Sequence, residues 1–300
     1  MAHQHDHGPK DYSRAFGIGV ALNLAYVVVE VVYGLIAHSL ALVADAGHNL
    51  SDVLGLLLAW GATWLVRRRP TTRRSYGFRR SSVLAALFNA IFLLIAVGAI
   101  AWEAISRLSN PTSVAGTTVI WVAAFGIVVN GATALLFLSG QKGDVNIRGA
   151  FLHMAADAGV SLGVVLAGIA ILYTGWEWLD PAMSLTIVAV ILIGTWSLLR
   201  ESVDLALDAV PDGIDPAQVG AYLAAREGVG EVHDLHIWAM STTETALTAH
   251  LVIPDAGEVD GLLRQIREGL HDQFKIEHAT IQIEHGDPAH PCPLAPTSVV

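Results

Sequence analysis

The sequence predicts an α-helical membrane protein in which six spanning helices are followed by a small α+β domain. Of the 300 residues, 53% are hydrophobic and 15% are charged, whereas about a quarter of the residues in a soluble domain are charged. The apolar residues before position 200 are concentrated in six long runs. Beyond that position the chain becomes acidic and its apolar segments become short. These three observations define the fold class.

Each of the six apolar runs approaches or exceeds the roughly 20 residues that a helix needs to cross a bilayer. Six such runs in succession argue against a large buried helical core in a soluble protein. The first run lacks a small-residue cleavage pattern after it, so we do not interpret it as a removed signal peptide. The predicted spans are 16–37, 40–66, 82–105, 117–138, 147–173 and 181–199.

The basic residues predict the orientation, because cytoplasmic loops retain Lys and Arg. Only Arg107 lies in the loops on the opposite side of the membrane. We therefore expect both termini in the cytoplasm. The same rule accounts for the arginine cluster after the second span, so this cluster does not require a nucleic-acid partner. The single cysteine and the short, bacterial-length loops suit a bacterial inner (plasma) membrane. The residues on the predicted cytoplasmic side are Lys10, Arg14, Arg67, Arg68, Arg69, Arg73, Arg74, Arg79, Arg80, Lys142 and Arg148.

The chain from residue 201 onward carries 17 acidic residues against four basic ones, a net charge of −13. Such acidity also argues against nucleic acid as a partner. The order of its segments is αββαβ, a ferredoxin-like arrangement that suits a small antiparallel sheet with helices on one face. The segments are a helix at 216–226, strands at 232–239 and 245–253, a helix at 259–274 and a strand at 279–284.

These features divide the chain into four parts. An N-terminal cytoplasmic tail, 1–14, contains three histidines, and its role as a loose metal-collecting segment or as an end without essential function stays open. The six spans occupy 15–200, a water-facing domain occupies 201–287, and a Pro-rich extension at 288–300 is expected to be disordered. The single cysteine, Cys292, excludes an intrachain disulfide and a multi-cysteine metal site. The three histidines are His3, His5 and His7.

Four ionisable residues lie inside two of the predicted spans, where such groups are costly and are usually functional. His48 and Asp52 are four residues apart in the second span and therefore share one helix face. His153 and Asp157 repeat the same spacing in the fifth span. A single pair of this kind is commonly a plain helix-stabilising contact, but two identical pairs in separate spans indicate a ligand set.

Two imidazoles and two carboxylates form a complete tetrahedral set of the type that Zn²⁺ accepts. Two carboxylates also neutralise a divalent cation, which removes most of the penalty for an isolated charge in low dielectric. Because an imidazole must lose its proton to bind metal, metal and protons compete for the same nitrogens. The residues therefore predict a Zn²⁺ site inside the membrane at which binding of metal is coupled to release of protons. Asp45, three residues before His48, is a candidate for orienting the ligands from behind.

Four segments resemble the cation diffusion facilitator family: 39–52 (SLALVADAGHNLSD), 146–157 (NIRGAFLHMAAD), 75–80 (SYGFRR) and 233–238 (HDLHIW). The resemblance covers nearly the whole chain and implies a homodimer in the lipid bilayer that exports metal in exchange for protons. It also implies a four-ligand site between the second and fifth helices and a cytoplasmic metallochaperone-like domain. The His-x-x-x-Asp form in both helices is similar to the zinc branch. A further family ligand before the third helix, often histidine, is Arg79 here, so no zinc site is expected in that loop.

The acidic domain and its extension contain seven histidines, a density that suits either a second zinc site or a surface without metal. By the resemblance, His233 and His250 match the positions at which the family's cytoplasmic domain binds regulatory zinc. Glu284, His285 and Asp287 are further candidates at the last strand. We therefore expect Zn²⁺ as the transported substrate and as a candidate regulator.

Two other classes of function remain open at this level. The quartet in the spans could hold a catalytic zinc, although an enzyme needs an open coordination position and a nearby base, and no His-Glu-x-x-His helix is present. A passive zinc channel or a sensor is the second alternative. The ligand types do not decide between Zn²⁺ and the chemically similar Cd²⁺ and Co²⁺.

Overall fold

The computed structural model describes residues 13–66, 68–138, 145–254, 259–287 and 289–295. The predictions for His3, His5 and His7 and for much of the Pro-rich extension lie outside these residues. The elements are α1 (Ser13–Ile36), α2 (Leu40–Val66), α3 (Ser81–Ser109), α4 (Gly116–Phe137), α5 (Val145–Thr174), α6 (Leu179–Ala206), α7 (Pro216–Ala224), β1 (Glu231–Ala239), β2 (Thr245–Val252), α8 (Val259–Phe274) and β3 (His278–Glu284).

The six predicted spans coincide with α1–α6, the shortest of which has 22 residues and extends about 33 Å. Within the described residues, four helical segments are both long and apolar enough to cross a membrane, and α1 contributes a shorter apolar stretch, Val20–Ile36. Large apolar side chains on these helices point outward: Trp102 is 78% exposed and Ile193 is 75% exposed. Such surfaces suit lipid rather than water. The structure confirms the fold class, an α-helical membrane protein in which six long helices precede a small α+β domain.

The described residues form two compact units, which fall within Met1–Leu57 with Asn89–Ser197 and within Leu58–Phe88 with Leu198–Val300. In the first unit, the core is a cluster of small and branched apolar residues from the helices. Close helix contact depends on glycine at Gly126, because a Cβ atom there would overlap the Tyr26 hydroxyl. Small residues at such crossings are typical of membrane helices. Core members include Leu42, Ala44, Val119, Ala123, Val164 and Ile187.

The start of α2 is fixed by a buried carboxylate on α6. Asp180 is 1% exposed, and its Oδ2 atom accepts a hydrogen bond of 2.7 Å from the Leu40 backbone N–H. The Ala41 N–H donates to Oδ1 of the same residue over 3.3 Å. Ser39 is the N-cap of α2 and accepts from the Leu42 N–H. The first N–H groups of a helix need such acceptors, so this contact anchors the helix that carries His48 and Asp52.

In the second unit, the predicted αββαβ order is confirmed, and the strand and helix ends differ from the predicted ones by at most two residues. The sheet has the order β1-β2-β3, with β1 antiparallel to β2 and β2 parallel to β3. The prediction of a fully antiparallel sheet was therefore wrong. The chain passes through α8 between β2 and β3, and a helical crossover of this kind joins parallel strands.

The core of this domain lies between the sheet and the two helices α7 and α8. Leu223 of α7 and Ile266 of α8 are fully buried against Leu247 and Leu251 of β2.

The same unit includes the segment before α3, where the Arg79 Nε atom lies 3.2 Å from Glu244 Oε2. Arg79, which stands where the resemblance implied a further metal ligand, often histidine, therefore forms an ion pair in this chain. The helix α6 continues to Ala206, past the predicted domain boundary at 201.

Candidate metal centre

Helices α2 and α5 bring all four predicted residues of the spans together. The Nε2 atom of His48 lies 3.2 Å from Asp157 Oδ1, and that of His153 lies 3.1 Å from Asp52 Oδ2 and 3.7 Å from Asp157 Oδ2. Each histidine therefore faces a carboxylate of the other helix. His48, the first of the two residues on α2, pairs with Asp157, the second of the two on α5, and Asp52 pairs with His153. This order of pairing is the one expected of antiparallel helices.

The geometry of this quartet suits a small divalent cation. Zinc binds nitrogen and oxygen at about 2.0–2.2 Å in a tetrahedron, which separates two such ligand atoms by about 3.4 Å. One ligand atom each from His48, Asp52 and Asp157 lies within 4.8 Å of the other two, and His153 contacts both carboxylates. Asp157 is 1% exposed, and its Oδ2 atom has no hydrogen-bond donor among the described residues. A buried carboxylate oxygen of this kind normally has a partner, and a cation would supply one.

A layer of buried polar residues stands behind the quartet. Asp45, predicted as an orienting group, accepts a hydrogen bond of 3.2 Å from Ser161, which lies one helical turn beyond Asp157 on α5. Asn49, next to His48, donates to Glu30 on α1 over 3.0 Å. These contacts join α2 to α5 and α1 beside the ligands. From the sequence, Asp45 and Asn49 are recognisable as polar residues within a span. Their hydrogen-bond partners on other helices, Ser161 and Glu30, become visible only in the structure.

A second cluster lies on the sheet of the acidic domain. His233 on β1 and His250 on β2 are direct register partners, with ring centroids 5.3 Å apart. Glu284, the last residue of β3, places Oε1 2.9 Å from His250 Nδ1 and Oε2 3.4 Å from His233 Nε2. The Cys292 Sγ atom lies 3.6 Å from His250 Nδ1. One ligand atom from each of the four lies within 4.8 Å of the others.

The structure places the two remaining candidates of the acidic domain away from this cluster. His285 Nδ1 lies 3.3 Å from the backbone carbonyl oxygen of Ile253. Asp287 accepts a hydrogen bond of 2.8 Å from the Ala289 N–H, and its other oxygen lies 2.9 Å from His290 Nδ1. Sequence reasoning missed Cys292, although a lone thiol in a histidine-rich domain was an available signal. Cys292 lies among prolines after the last strand, a setting typical of an unstructured extension, so its contact with His250 could not be predicted.

The orientation of the His250 ring is set by Asp234. The Nε2 atom of His250 lies 3.4 Å from Asp234 Oδ2, and the other Asp234 oxygen lies 2.9 Å from His236 Nε2. Asp234 sits where the β1–β2 register shifts and has a φ of 49°. Irregular strand positions of this kind re-aim side chains next to functional sites. Because Nε2 faces a carboxylate, Nδ1 of His250 is left toward Glu284 and Cys292.

The charge of Glu284 is favoured by its neighbours. Burial alone would raise the pKa of its carboxyl group. Hydrogen bonds from the Cys292 thiol and the Gln282 amide outweigh this, with a smaller electrostatic contribution from the neighbouring His233 and His250, and hold the pKa of Glu284 below its ordinary value. The carboxylate is therefore the stable form at neutral pH, as a metal ligand must be.

Sequence comparisons place the two clusters in two known domains. Residues 17–205, which include the quartet, match the cation efflux transmembrane domain. Residues 211–286, which include three members of the second cluster, match the cytoplasmic domain of cation efflux proteins.

Relatives of similar length match over nearly the whole chain. The metal cation efflux system protein CzcD of Cupriavidus metallidurans is 37% identical over 283 residues, which cover 94% of this chain and 89% of CzcD. The zinc transporter ZitB of Escherichia coli is 36% identical over 301 residues, 97% of this chain and 94% of ZitB. The cadmium, cobalt and zinc/H(+)-K(+) antiporter of Bacillus subtilis is 34% identical over 289 residues, 95% of this chain and 92% of the antiporter.

Among solved structures, the metal-bound C-terminal domain of the CzcD transporter is 39% identical. It aligns with 24% of this chain and with 99% of its own length, at a TM-score of 0.23.

Proposed function

The chain belongs to the cation efflux family, also called the cation diffusion facilitator family, and from this premise we propose that it exports Zn²⁺ from the cytoplasm in exchange for protons. As a family member it is a metal cation transporter of the membrane and not an enzyme. The observation that carries the proposal is the reciprocal pairing of His48 with Asp157 and of His153 with Asp52. This pairing forms one ligand set from two helices.

The ligand types favour zinc as the transported ion. Two imidazoles and two carboxylates match the tetrahedral preference of Zn²⁺, whereas Mg²⁺ and Ca²⁺ prefer sites built from oxygen. The filled site is formally neutral, which suits a position inside the membrane. The name of ZitB supports zinc, and the name of the Bacillus subtilis relative supports cadmium and cobalt as additional substrates.

The same residues provide a physical basis for proton coupling. In the absence of metal, each histidine is within reach of a carboxylate and can carry a proton, because an imidazolium donates to that carboxylate. Zinc binding displaces these protons from the Nε2 atoms. Each proton that moves down a gradient of one pH unit contributes about 1.4 kcal/mol to the export of metal. Loading on the cytoplasmic side therefore releases protons, and protons from the opposite side promote release of zinc.

The ligand number argues against a passive channel. A site that saturates zinc with four protein ligands holds the ion too tightly for fast permeation, so alternating access is required.

We further propose that the protein is a homodimer with both termini in the cytoplasm. In that arrangement His233, His250 and Glu284 bind zinc as a regulatory site, which responds to the cytoplasmic metal concentration.

Uptake of Zn²⁺ into proteoliposomes, with and without an imposed pH gradient, tests this function. A lumenal pH dye reads proton movement in the same vesicles. We expect an inwardly directed zinc flux that accelerates when the lumen is acidic and that makes the lumen more alkaline. Zinc flux that is indifferent to the pH gradient and moves no protons would indicate a channel. Binding of zinc without any flux would indicate a sensor.

A further inference from the structure

We propose that Cys292 is a metal ligand that completes, with His233, His250 and Glu284, a closed thiolate-containing site for a soft or borderline divalent cation such as Zn²⁺ or Cd²⁺. The site is formed within one chain. This inference rests on the proposed regulatory zinc site of the acidic domain and adds to it a sulfur ligand from the segment after β3.

The distances around Cys292 match a tetrahedral zinc site. With Zn–S near 2.3 Å and Zn–N near 2.0–2.1 Å, a sulfur and a nitrogen ligand are about 3.6 Å apart, and a nitrogen and an oxygen ligand are about 3.4 Å apart. The Cys292 Sγ atom lies 3.6 Å from His250 Nδ1. The Nε2 atom of His233 lies 3.4 Å from Glu284 Oε2. Two of the ligand-atom pairs therefore already stand at the separation that one zinc ion would impose, and one ligand atom from each of the four residues lies within 4.8 Å of the others.

An independent observation points to a missing ligand at the same place. His233 is 8% exposed, and neither of its ring nitrogens makes a hydrogen bond within the described part of the chain. The carboxylate oxygens beside them are Glu284 Oε2, 3.4 Å from Nε2, and Glu231 Oε1, 3.7 Å from Nδ1. The His233 ring faces His250 at a centroid distance of 5.3 Å. Buried polar atoms without partners are rare in folded proteins. A metal bound between the two histidines and Cys292 gives His233 its partner.

The chain after β3 is folded so that it brings the thiol back to the sheet. Asp287 accepts a hydrogen bond from the Ala289 N–H and contacts His290, and these contacts lie between Glu284 and Cys292 in the chain. Asp287 therefore contributes to the site by shaping the backbone rather than as a ligand. Asp234 holds the far side of the His250 ring, as carboxylates commonly do behind zinc-bound histidines.

The ligand set determines what the site does. Four protein ligands leave no open coordination position, as in structural and regulatory zinc sites rather than catalytic ones. One thiolate and one carboxylate neutralise the divalent cation. The sulfur selects for Zn²⁺, Cd²⁺ and similar ions over Mg²⁺ and Ca²⁺. On binding, the S–H bond of Cys292 breaks, its proton passes to solvent and the S–metal bond forms, so metal binding is coupled to release of one proton.

Co²⁺ binding to the purified full-length chain tests the sulfur ligand directly, because a cobalt–thiolate bond gives a charge-transfer absorption that imidazole and carboxylate ligands do not give. Cys292 is the only cysteine, so the quartet in the membrane cannot contribute to this signal. We expect the absorption in the wild type and in the control variant His271→Ala, which removes an exposed histidine of α8. Cys292→Ser should abolish it. An unchanged Co²⁺ spectrum in Cys292→Ser would overturn the proposal.

Alkylation of Cys292 provides a second readout that separates this proposal from the regulatory site itself. Bound Zn²⁺ should slow alkylation by about tenfold or more, since a coordinated thiolate is not free to react. The double variant His233→Ala with His250→Ala should lose this protection.

If zinc raises the melting temperature through the acidic domain while Cys292 is alkylated at an unchanged rate, the thiolate ligand is disproved and the regulatory site stands. If zinc gives neither effect, both are disproved. Zinc flux in vesicles tests the transport function independently of either result.

Discussion

His48 on α2 and Asp157 on α5 are 109 positions apart in the chain, yet the imidazole Nε2 atom lies 3.2 Å from the carboxylate Oδ1 atom. The complementary contact joins His153 to Asp52 over 3.1 Å. Each helix therefore supplies a histidine to the carboxylate of the other helix. A movement of α2 relative to α5 would change all the contacts at once, which makes the quartet responsive to an alternating-access transition.

The identity of the ligand at position 48 should control metal selectivity. His48→Asp replaces a nitrogen ligand with oxygen, which makes the site harder and weakens the preference for tetrahedral zinc. We expect increased relative uptake of Mn²⁺ and Cd²⁺ in competition assays with Zn²⁺. His38→Asp is the matched control, because it makes the same exchange at an exposed position outside the quartet. If both variants keep the wild-type ratio of the three metals, the ligand set does not determine specificity.

The carboxylate that caps α2 should contribute to stability without taking part in metal binding. Asp180→Ala leaves the buried N–H groups of Leu40 and Ala41 without acceptors, which should destabilise the protein by about 1–3 kcal/mol. Asp180→Asn keeps one oxygen acceptor and should lose less. The melting temperature of the metal-free protein in detergent measures the effect, with the exposed residue Asp204, also on α6, changed to Ala as the control. Equal melting temperatures for Asp180→Ala and Asp204→Ala would disprove the capping role.

Zinc should stabilise the acidic domain through His233 and His250. In an Asp157→Ala background, which lacks the transport site, the remaining zinc-dependent rise in melting temperature reports on this domain. At a zinc concentration 100 times the Kd, the gain is about 2.7 kcal/mol. The double change His233→Ala with His250→Ala should remove it. A full zinc-dependent rise in this variant would mean that the ligands are misidentified.

In the otherwise wild-type chain, the same double change should lower the zinc sensitivity of transport and leave substantial flux at saturating zinc. Vesicle flux measures this result. Complete loss of flux would show that transport is not confined to the quartet in the membrane.

The reactivity of Cys292 in the metal-free protein should depend on Glu284. The backbone of Leu294 favours the thiolate, but burial and the Glu284 carboxylate outweigh it and raise the pKa of the Cys292 thiol. A raised pKa means less thiolate at pH 7, so alkylation should be slow and should accelerate as the pH rises. Glu284→Gln removes the negative charge, lowers the pKa and should speed alkylation at pH 7. An equal or slower rate in Glu284→Gln would contradict this electrostatic assignment.

The elements of the fold were largely predictable because their signals are local. Apolar runs of sufficient length specify α1–α6, and a four-residue spacing places His48 with Asp52, and His153 with Asp157, on single helix faces. Alternating apolar residues and turn signals similarly specify the strands of the acidic domain. These periodicities depend only on neighbouring residues and are therefore visible in a single sequence.

The features that the sequence did not reveal depend on distant contacts. Asp180 caps a helix 140 positions before it, and no local pattern selects it from other acids. The parallel pairing of β3 with β2 follows from the path of α8 across the sheet rather than from the composition of β3. Cys292 reaches His250 because the chain turns after β3, and its own sequence surroundings resemble an unstructured extension.

Initial rates of Zn²⁺ uptake by Asp157→Ala in proteoliposomes test the central claim most directly. The change removes a buried ligand and leaves the zinc-filled quartet with a net positive charge in the membrane, so we expect at least about a tenfold loss of rate, equivalent to 1.4 kcal/mol. Glu103→Ala, which removes an exposed acidic side chain from α3, is the matched control and should retain the wild-type rate at equal insertion. An Asp157→Ala protein that is folded, inserted and still transports zinc at more than half the wild-type rate would contradict the assignment of the quartet as the transport site.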